Sequence, residues 1–239
     1  LTISGADTSY TNITACDSAV WNGTTYTQSG TYSYSNSASN NYSMSFDGVD
    51  DYIDASNSVN LFQNEGAISI DFRIPINGTY PIFGGFTNPS FALFSIDNGL
   101  FDPLVIRIGS GCYANNSSIS LEDDDCGQTN PSVRASWGND SLLLFDNQWH
   151  NITLVADNNG HKLYLDGVEL SLTYTMGNNA INIWPADASL MRFGTDMNDD
   201  FSFLGNLDNI HIWYTSLTQQ EIQQYVNCPP NGNESGLIG

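Results

Sequence analysis

Basic residues are the scarcest feature of this sequence: among 239 residues, Lys and Arg number 5 against 26 Asp and Glu, which gives a formal net charge of -21. A chain this acidic repels phosphate backbones and anionic lipid headgroups, so we expect no nucleic-acid partner. No apolar run approaches the ~18 residues that cross a bilayer, so we also expect no direct membrane insertion. Two explanations of the acidity stay open: solubility in a salty medium, or carboxylates that bind hard cations.

Cysteines are few as well. They are Cys16, Cys112, Cys126 and Cys228, with no Cys-x-x-Cys pair and no His at zinc-ligand spacing. Two disulfides of an extracellular protein explain them better than a metal site, although four cysteines allow three connectivities. We favour Cys112 with Cys126, which closes a short Asp-rich loop, and Cys16 with Cys228, which joins the two ends of the chain. We therefore expect a secreted or cell-surface location.

Apolar residues are abundant, at 40% of the chain against 13% charged, so a folded core is expected. They occur in short β-type runs separated by Gly, Asn, Asp and Pro. In 67–74, Ile and Phe alternate with polar residues, which predicts a strand with one buried face. The absence of amphipathic helices between the runs favours an all-β fold, a two-sheet antiparallel β-sandwich. The predicted strands are 43–46, 52–54, 67–74, 91–97, 104–108, 150–156, 162–165 and 210–214.

The same patterns predict three parts of the chain. Residues 1–40 form a lead-in segment with a small β-hairpin around Asn22-Gly23. Residues 41–228 form the sandwich, with one short helix near the C-terminus, where Thr218 and Glu221 have the spacing of a capping box. Residues 229–239 are turn-rich, and we expect them to link this domain to a flanking module of the same chain.

Three segments resemble a known family. They are 45–53 (SFDGVDDYI), 148–155 (QWHNITLV) with 162–170 (KLYLDGVEL), and 203–214 (FLGNLDNIHIWY) followed by the predicted helix. In order and spacing they resemble the laminin-G/pentraxin-like branch of the concanavalin-A-like lectins, over roughly residues 43–227. The resemblance implies a jelly-roll sandwich and a non-catalytic carbohydrate-binding or protein-binding adhesion module. Its ligand is then a glycan or an extracellular protein.

A second, shorter resemblance concerns location. Residues 15–32 are similar to a short repeat of very large secreted bacterial surface proteins, with CDS followed by WNGTTY and SGTY. That similarity covers about a tenth of the chain and supports a secreted or cell-surface location only.

Catalytic patterns are missing from the sequence. Glycoside hydrolases that share this jelly roll carry a strand with the pattern Glu-x-Asp-x-(x)-Glu. The nearest candidates for such catalytic carboxylates here, Glu65 and Glu122, occur in turn-like sequence. There is no Gly-x-Ser-x-Gly motif. We interpret Trp149 as a core residue and His161 as a solvated turn residue. We therefore predict that the protein is not an enzyme; a structural spacer and, more weakly, a glycosidase remain the alternatives.

Carboxylate clusters are the strongest chemical signal, and calcium is the expected cofactor. Asp47 and Asp50 occupy one turn with Asp51, and the family resemblance places Asp208 beside that turn, which implies Asp47 and Asp208 as calcium ligands. The alternative is a set of solvated turn aspartates. Asp199 is the candidate ligand of a second calcium ion. The further candidates for ligand binding are the loop aromatics and nearby carboxylates Trp137, Trp184, Tyr113, Asp123, Asp125 and Asp200.

Overall fold

In the computed structural model, the described residues are 17–21, 24–28, 43–61, 65–76, 89–97, 104–109, 117–122, 133–184, 188–196, 201–230 and 232–238. None of the helices in these ranges is long and apolar enough to cross a membrane. The strands are β1 (Ala19–Trp21), β2 (Thr24–Tyr26), β3 (Met44–Asp47), β4 (Ile53–Asp54), β5 (Gly66–Arg73), β6 (Ser90–Asp97), β7 (Leu104–Gly109), β8 (Ile119–Glu122), β9 (Arg134–Trp137), β10 (His150–Asp157), β11 (Gly160–Leu165), β12 (Val168–Glu169), β13 (Thr173–Met176), β14 (Leu190–Phe193) and β15 (Leu204–Trp213). A 3-10 helix spans Ser56–Leu61, and α1 spans Gln219–Asn227.

The strands form two large sheets. One has six strands in the order β12-β11-β10-β5-β15-β3, and the other has seven in the order β13-β9-β8-β7-β6-β14-β4. Every strand pairing among the described residues is antiparallel. The predicted two-sheet antiparallel sandwich with one short C-terminal helix is confirmed. β1 and β2 pair with each other in a separate two-stranded hairpin, at the place where the sequence predicts one.

The core lies between the two large sheets. Ile68, Ile70 and Phe72 of β5 are almost completely buried, and they pack in one cluster with residues of both sheets. A strand points successive side chains to opposite faces, so these residues define the inner face of the six-stranded sheet. Each such burial stabilises the fold by about 1.5–3 kcal/mol. The intervening residues Ser69 and Asp71 consequently lie on the opposite face, which we call the outer face.

Helix α1 covers one end of this outer face. Its capping box is present as predicted: the Thr218 hydroxyl accepts from the Glu221 backbone N–H, and the Glu221 carboxylate accepts from the Thr218 backbone N–H. Under the helix, a second apolar cluster is formed by Ala67, Val155, Tyr164, Trp213, Leu217 and Ile222. The helix therefore closes this end of the outer face and leaves the other end to polar residues.

Part of the segment predicted as a linker packs against the sandwich. Leu237 forms a β-bridge with Trp213, and the Ile238 N–H donates to the Ile212 carbonyl at 2.7 Å. These contacts occur beyond the stretch where β3 pairs with β15, so the C-terminal segment continues the sheet at that edge. The domain boundaries and the link to a following module stay predictions.

The prediction for His161 is wrong. β11 begins at Gly160, so His161 lies in a strand opposite Ala156 and is only 3% exposed. One ring nitrogen lies 2.7 Å from the Ile181 carbonyl and the other lies 3.0 Å from the Tyr174 hydroxyl. Burial lowers the pKa of His161 below its usual value, so it is a neutral structural residue rather than a solvated one.

Glu122 also lies elsewhere than predicted. It ends strand β8 rather than starting a turn, is 2% exposed, and pairs with the buried guanidinium of Arg107 in the neighbouring strand. A carboxylate can be buried here because an arginine from β7 compensates its charge. This contact depends on the pairing of β7 with β8, which neither segment's sequence predicts.

Candidate functional site

A row of polar residues crosses the outer face at the end that helix α1 leaves open. The strand register places Asp71 of β5 between Asn151 of β10 and Asp208 of β15. One row further, Ser69 lies between Thr153 and His211. Directly opposed residues of antiparallel strands have neighbouring side chains, so the two carboxylates of the first row lie side by side.

Asp71 is held by amides on both sides. Its two oxygens accept hydrogen bonds from the side-chain amides of Asn151 and Asn209, each at 2.7 Å. Burial raises the pKa of the Asp71 carboxyl, with a further contribution from the charge of Asp208, while the two amide donors oppose the shift. The carboxylate is therefore fixed in orientation and partly desolvated.

A β-bulge in β15 presents Asn209 to this site. The register shifts between Asp208 and His211, and Asn209 has a backbone φ of 45°. The left-handed conformation is uncommon for a residue other than glycine, and Asn tolerates it better than most. Bulges redirect side chains in just this way, and here the redirected amide reaches Asp71.

Trp149 stands beside the row and is 43% exposed, so the prediction of a core tryptophan is wrong. The neighbouring His150 contacts the core residue Phe72, with ring centroids 5.8 Å apart, and lies opposite it in the sheet. Alternation then turns Trp149 to the outer face. There the Arg73 guanidinium lies 5.1 Å from the centroid of the indole ring and donates to the Asn206 side chain at 3.0 Å.

These residues surround an open pocket of about 340 Å³, lined by Ser43, Asp71, Arg73, Trp149, Asp208 and Asn209. It combines one exposed aromatic surface with amide, hydroxyl, carboxylate and guanidinium groups. Such a combination can pack against the apolar face of a ring and hydrogen-bond to groups around its edge. We call it the outer-face pocket.

His150 anchors the Trp149 side of the pocket. Its Nδ1 lies 2.9 Å from the Asp166 carboxylate, and its Nε2 lies 3.3 Å from that of Asp146. The hydrogen bond with Asp166 is the main cause that raises the pKa of His150. Asp166 also accepts from the Asn151 backbone N–H at 2.8 Å, so the start of β10 is joined to the turn that follows β11.

A second feature is the acidic turn after β3, formed by Asp47, Asp50 and Asp51. One carboxylate oxygen from each lies within 4.8 Å of the others, and all three residues are exposed. Asp51 accepts from the Asp47 backbone N–H, and Asp47 accepts from the Val49 backbone N–H, both at 2.9 Å. Oxygen ligands of this kind suit calcium.

The structure does not bring Asp208 to the acidic turn. Asp47 lies opposite Leu204 in the β3–β15 pair, whereas Asp208 lies opposite Asp71. Four residues of strand separate the two positions, which is about 13 Å. The predicted pair of ligands is thus divided between the acidic turn and the outer-face pocket.

The other predicted site residues lie elsewhere or outside the described ranges. Trp184 is buried in the core, where its indole N–H donates to the Ala156 carbonyl at 2.9 Å, and Trp137 packs against the core from β9. Cys228 is disulfide-bonded. Outside the described residues lie Tyr113, Asp123, Asp125, Asp199, Asp200, Cys16, Cys112 and Cys126. Their predicted roles and pairing stay predictions.

Sequence reasoning missed the residues that make the outer-face pocket, although one signal was present. The apolar half of the alternation in β5 predicts the buried face of the strand, and Asp71 and Arg73 belong to the polar half of the same pattern. Two ionisable residues two positions apart on the solvent side of a strand mark a polar surface. The neighbours from β10 and β15 depend on the register, which the sequence does not state.

Comparison with known proteins agrees with the architecture. The family model Laminin_G_3, described as concanavalin A-like lectin/glucanases superfamily, matches residues 46–223. No curated protein matches the chain by sequence.

Similar solved structures include the CBM40 of Ruminococcus gnavus IT-sialidase bound to α2,6-sialyllactose, at 14% identity and a TM-score of 0.52, over 77% of this chain and 96% of that one. The same module bound to α2,3-sialyllactose is 14% identical, with a TM-score of 0.53 over 78% of this chain and 96% of that one. Trypanosoma rangeli sialidase in complex with the inhibitor DANA is 14% identical, with a TM-score of 0.50 over 77% of this chain and 27% of that one. These likenesses concern the fold alone. The family match covers most of the chain and all but the first residues of the two-sheet core, so this protein belongs to the Laminin_G_3 family of the concanavalin A-like lectin/glucanases superfamily.

Proposed function

We propose that this chain is a non-catalytic carbohydrate-binding module and that the outer-face pocket is its glycan site. The observation that carries the proposal is the exposed indole of Trp149 in an open pocket that also contains an amide and two carboxylates. A pyranose ring has an apolar C–H face and a rim of hydroxyls. An aromatic surface flanked by fixed hydrogen-bonding groups complements both.

The pocket is also organised before any ligand arrives. Arg73 and Trp149 contact each other, His150 is joined to two carboxylates, and Asp71 is held by two amides. Preorganised groups lose little conformational entropy on binding, which favours affinity for a small polar ligand. The similar CBM40 structures carry sialyllactose, which supports a glycan as the ligand class.

A glycosidase is the second candidate, because Asp71 and Asp208 lie side by side and burial raises the pKa of Asp71. Such chemistry needs a pair of neighbouring carboxyl groups. However, both oxygens of Asp71 already accept hydrogen bonds from amides. A general acid must present a proton to the glycosidic oxygen, so this geometry favours binding over bond cleavage.

We also propose that the module is extracellular and that the acidic turn holds calcium. Asp47, Asp50 and Asp51 supply side-chain oxygens, and the exposed turn leaves room for carbonyl oxygens and water. Calcium would then stiffen the start of the sandwich next to β3 and would not touch the glycan.

The test is calorimetric titration of the best ligand from a glycan array into the wild type and Trp149→Ala. Loss of a central aromatic anchor costs about 2 kcal/mol, so affinity should fall roughly thirtyfold. Tyr214→Ala is the matched control, because Tyr214 is a half-exposed aromatic residue outside the pocket. It should bind as the wild type does.

Three results would contradict the proposal. Equal affinity of Trp149→Ala and the wild type would remove the pocket from glycan binding. No affinity for any glycan on the array would favour a structural spacer. Release of reducing sugar by the wild type that Asp71→Asn abolishes would establish a glycosidase.

A further inference from the structure

The outer-face pocket is unbalanced in charge. Of the six described residues that line it, Asp71 and Asp208 are acidic and Arg73 alone is basic. The Arg73 guanidinium is already engaged, since it donates to Asn206 and lies over Trp149. Neither carboxylate forms an ion pair with a described residue. With one guanidinium against two carboxylates, the described lining therefore carries one net negative charge, and neither carboxylate is ion-paired.

The two carboxylates face each other across neighbouring strands. Like charges in directly opposed positions destabilise a sheet, and the amides of Asn151 and Asn209 satisfy hydrogen bonds of Asp71 without neutralising its charge. A cation placed between the carboxylates would offset both their repulsion and the partial desolvation of Asp71.

The aromatic wall of the pocket also suits a cation. The Arg73 guanidinium lies 5.1 Å from the Trp149 ring centroid, so the face of this indole already attracts a positive group of the chain itself. An ammonium group that enters the pocket would meet two carboxylates against the one guanidinium of Arg73, and the indole ring offers it a further favourable contact. A carboxylate or sulfate would be attracted by the guanidinium of Arg73 but repelled by Asp71 and Asp208 and by a chain of net charge -21.

We propose that the outer-face pocket selects glycans that carry a protonated amine, such as unacetylated amino sugars, and discriminates against glycans that carry a carboxylate or sulfate. The proposal rests on the function proposed above, namely that this pocket binds a glycan, and adds the chemical class of the ligand. Specificity then arises from the charge pair Asp71 and Asp208, while Trp149 supplies contact with any sugar ring.

The experiment compares a chitosan-derived glucosamine tetramer, its fully N-acetylated counterpart and sialyllactose by calorimetry. The titrations are done at about pH 6, where a primary amine of pKa near 8 is protonated. The glucosamine tetramer should bind about fivefold more tightly than the acetylated one, which corresponds to about 1 kcal/mol for one charge pair, and sialyllactose should bind more weakly than both.

Asp208→Asn is the informative variant because it keeps the shape of the side chain. It should reduce affinity for the glucosamine tetramer about fivefold and affinity for the acetylated tetramer by clearly less, because only the amine loses a charge partner, so the ratio of the two affinities should fall. Asp17→Asn is the matched control: it makes the same change in net charge at an exposed residue outside the pocket, and should change neither affinity.

Equal or tighter binding of the acetylated tetramer or of sialyllactose would overturn the amine preference. If that ligand still lost its affinity in Trp149→Ala, the carbohydrate-binding function would stand. Binding of the glucosamine tetramer that Asp208→Asn and Asp17→Asn weaken equally would show attraction to the acidic chain as a whole, and would also overturn the preference. Failure of all three ligands to bind would overturn the amine preference, whereas the carbohydrate-binding function would be overturned only by the absence of binding to every glycan on the array.

Discussion

At the scale of single residues, His150 is the group whose charge state the surroundings define most clearly. Both of its ring nitrogens face carboxylates, of Asp166 and Asp146. A neutral imidazole donates from one nitrogen only, so both contacts are satisfied only by the protonated ring. The hydrogen bond with Asp166 accordingly raises the pKa of His150 in the folded protein above its ordinary value of 6.5.

This raised pKa predicts the sign of a pH dependence. A group whose folded pKa exceeds its unfolded one contributes stability that is complete below about 6.5 and is lost as the pH rises through the folded value. His150→Gln should therefore be less stable than the wild type at pH 5, by on the order of 1 kcal/mol after solvent screening. The difference should shrink as the pH rises above 6.5.

Urea unfolding of the two proteins across this range measures the difference directly. The buried His161, whose pKa is lowered, has the opposite dependence, but it is present in both proteins and its contribution cancels. A difference in unfolding free energy that is constant with pH, or that grows as the pH rises, would show that His150 does not carry the charge assigned to it.

Residues also show why the site was predicted only in part. Asp47 and Asp50 are recognisable because they are neighbours in sequence within one turn. Asp71 and Asp208 are 137 positions apart in the sequence, and they lie side by side only because of the register of β5 and β15. The sequence predicts a core position for Trp149 because large aromatics usually pack there, but His150 packs against Phe72 on the inner face, and alternation then places Trp149 on the outer face.

At the scale of elements, the acidic turn between β3 and β4 joins two sheets, since β3 belongs to the six-stranded sheet and β4 to the seven-stranded one. Calcium at the proposed site would bind the folded state alone and so would stabilise it. At a hundredfold excess over Kd the gain is about 2.7 kcal/mol. For a domain of this size that corresponds to an increase in Tm of about 2–4 °C per kcal/mol.

We therefore predict that EDTA lowers the Tm and that calcium restores it better than magnesium, which demands a more regular shell of ligands. Asp50→Asn should abolish the response. Asp50 is chosen because Asp47 and Asp51 also hold the turn through backbone hydrogen bonds. Asp208→Asn should keep the response, since Asp208 lies in the other site. A Tm indifferent to EDTA, or a response lost in Asp208→Asn, would contradict this assignment.

Elements were predictable where their signals are local. The alternation in β5 and the capping box of α1 each lie within one segment: the sequence predicts the strand at 67–74, one residue from the observed bounds, and the capping box at Thr218 and Glu221, where it is observed. β8 and β9 were missed because they are short and carry buried polar residues, among them Ser120 and Glu122. Such residues are typical of loops in a sequence. They lie in buried strands here because neighbouring strands supply partners for them, such as Arg107 for Glu122.

At the scale of the whole molecule, the two ends of the six-stranded sheet's outer face have different roles. One end is covered by α1 and the C-terminal segment, which bury Trp213 and its apolar neighbours. The other end is the outer-face pocket. Covering half of the face secures the sheet that carries the pocket residues, while the open half leaves the proposed glycan site accessible.

The five tryptophans permit the most direct test of the glycan site, because each contributes one indole N–H signal and they are spread over the fold. Trp149 lines the outer-face pocket, Trp213 lies under helix α1, Trp184 lies in the core, and Trp137 lies in the seven-stranded sheet. The measurement is a titration of nitrogen-15-labelled protein with the best-binding glycan, followed by the indole N–H resonances. We predict that the Trp149 signal moves saturably with ligand, with the calorimetric Kd, and that the Trp213 and Trp184 signals stay in place. A saturable shift of the Trp137 signal with Trp149 unchanged would place the glycan on the other sheet and contradict the assignment of the outer-face pocket.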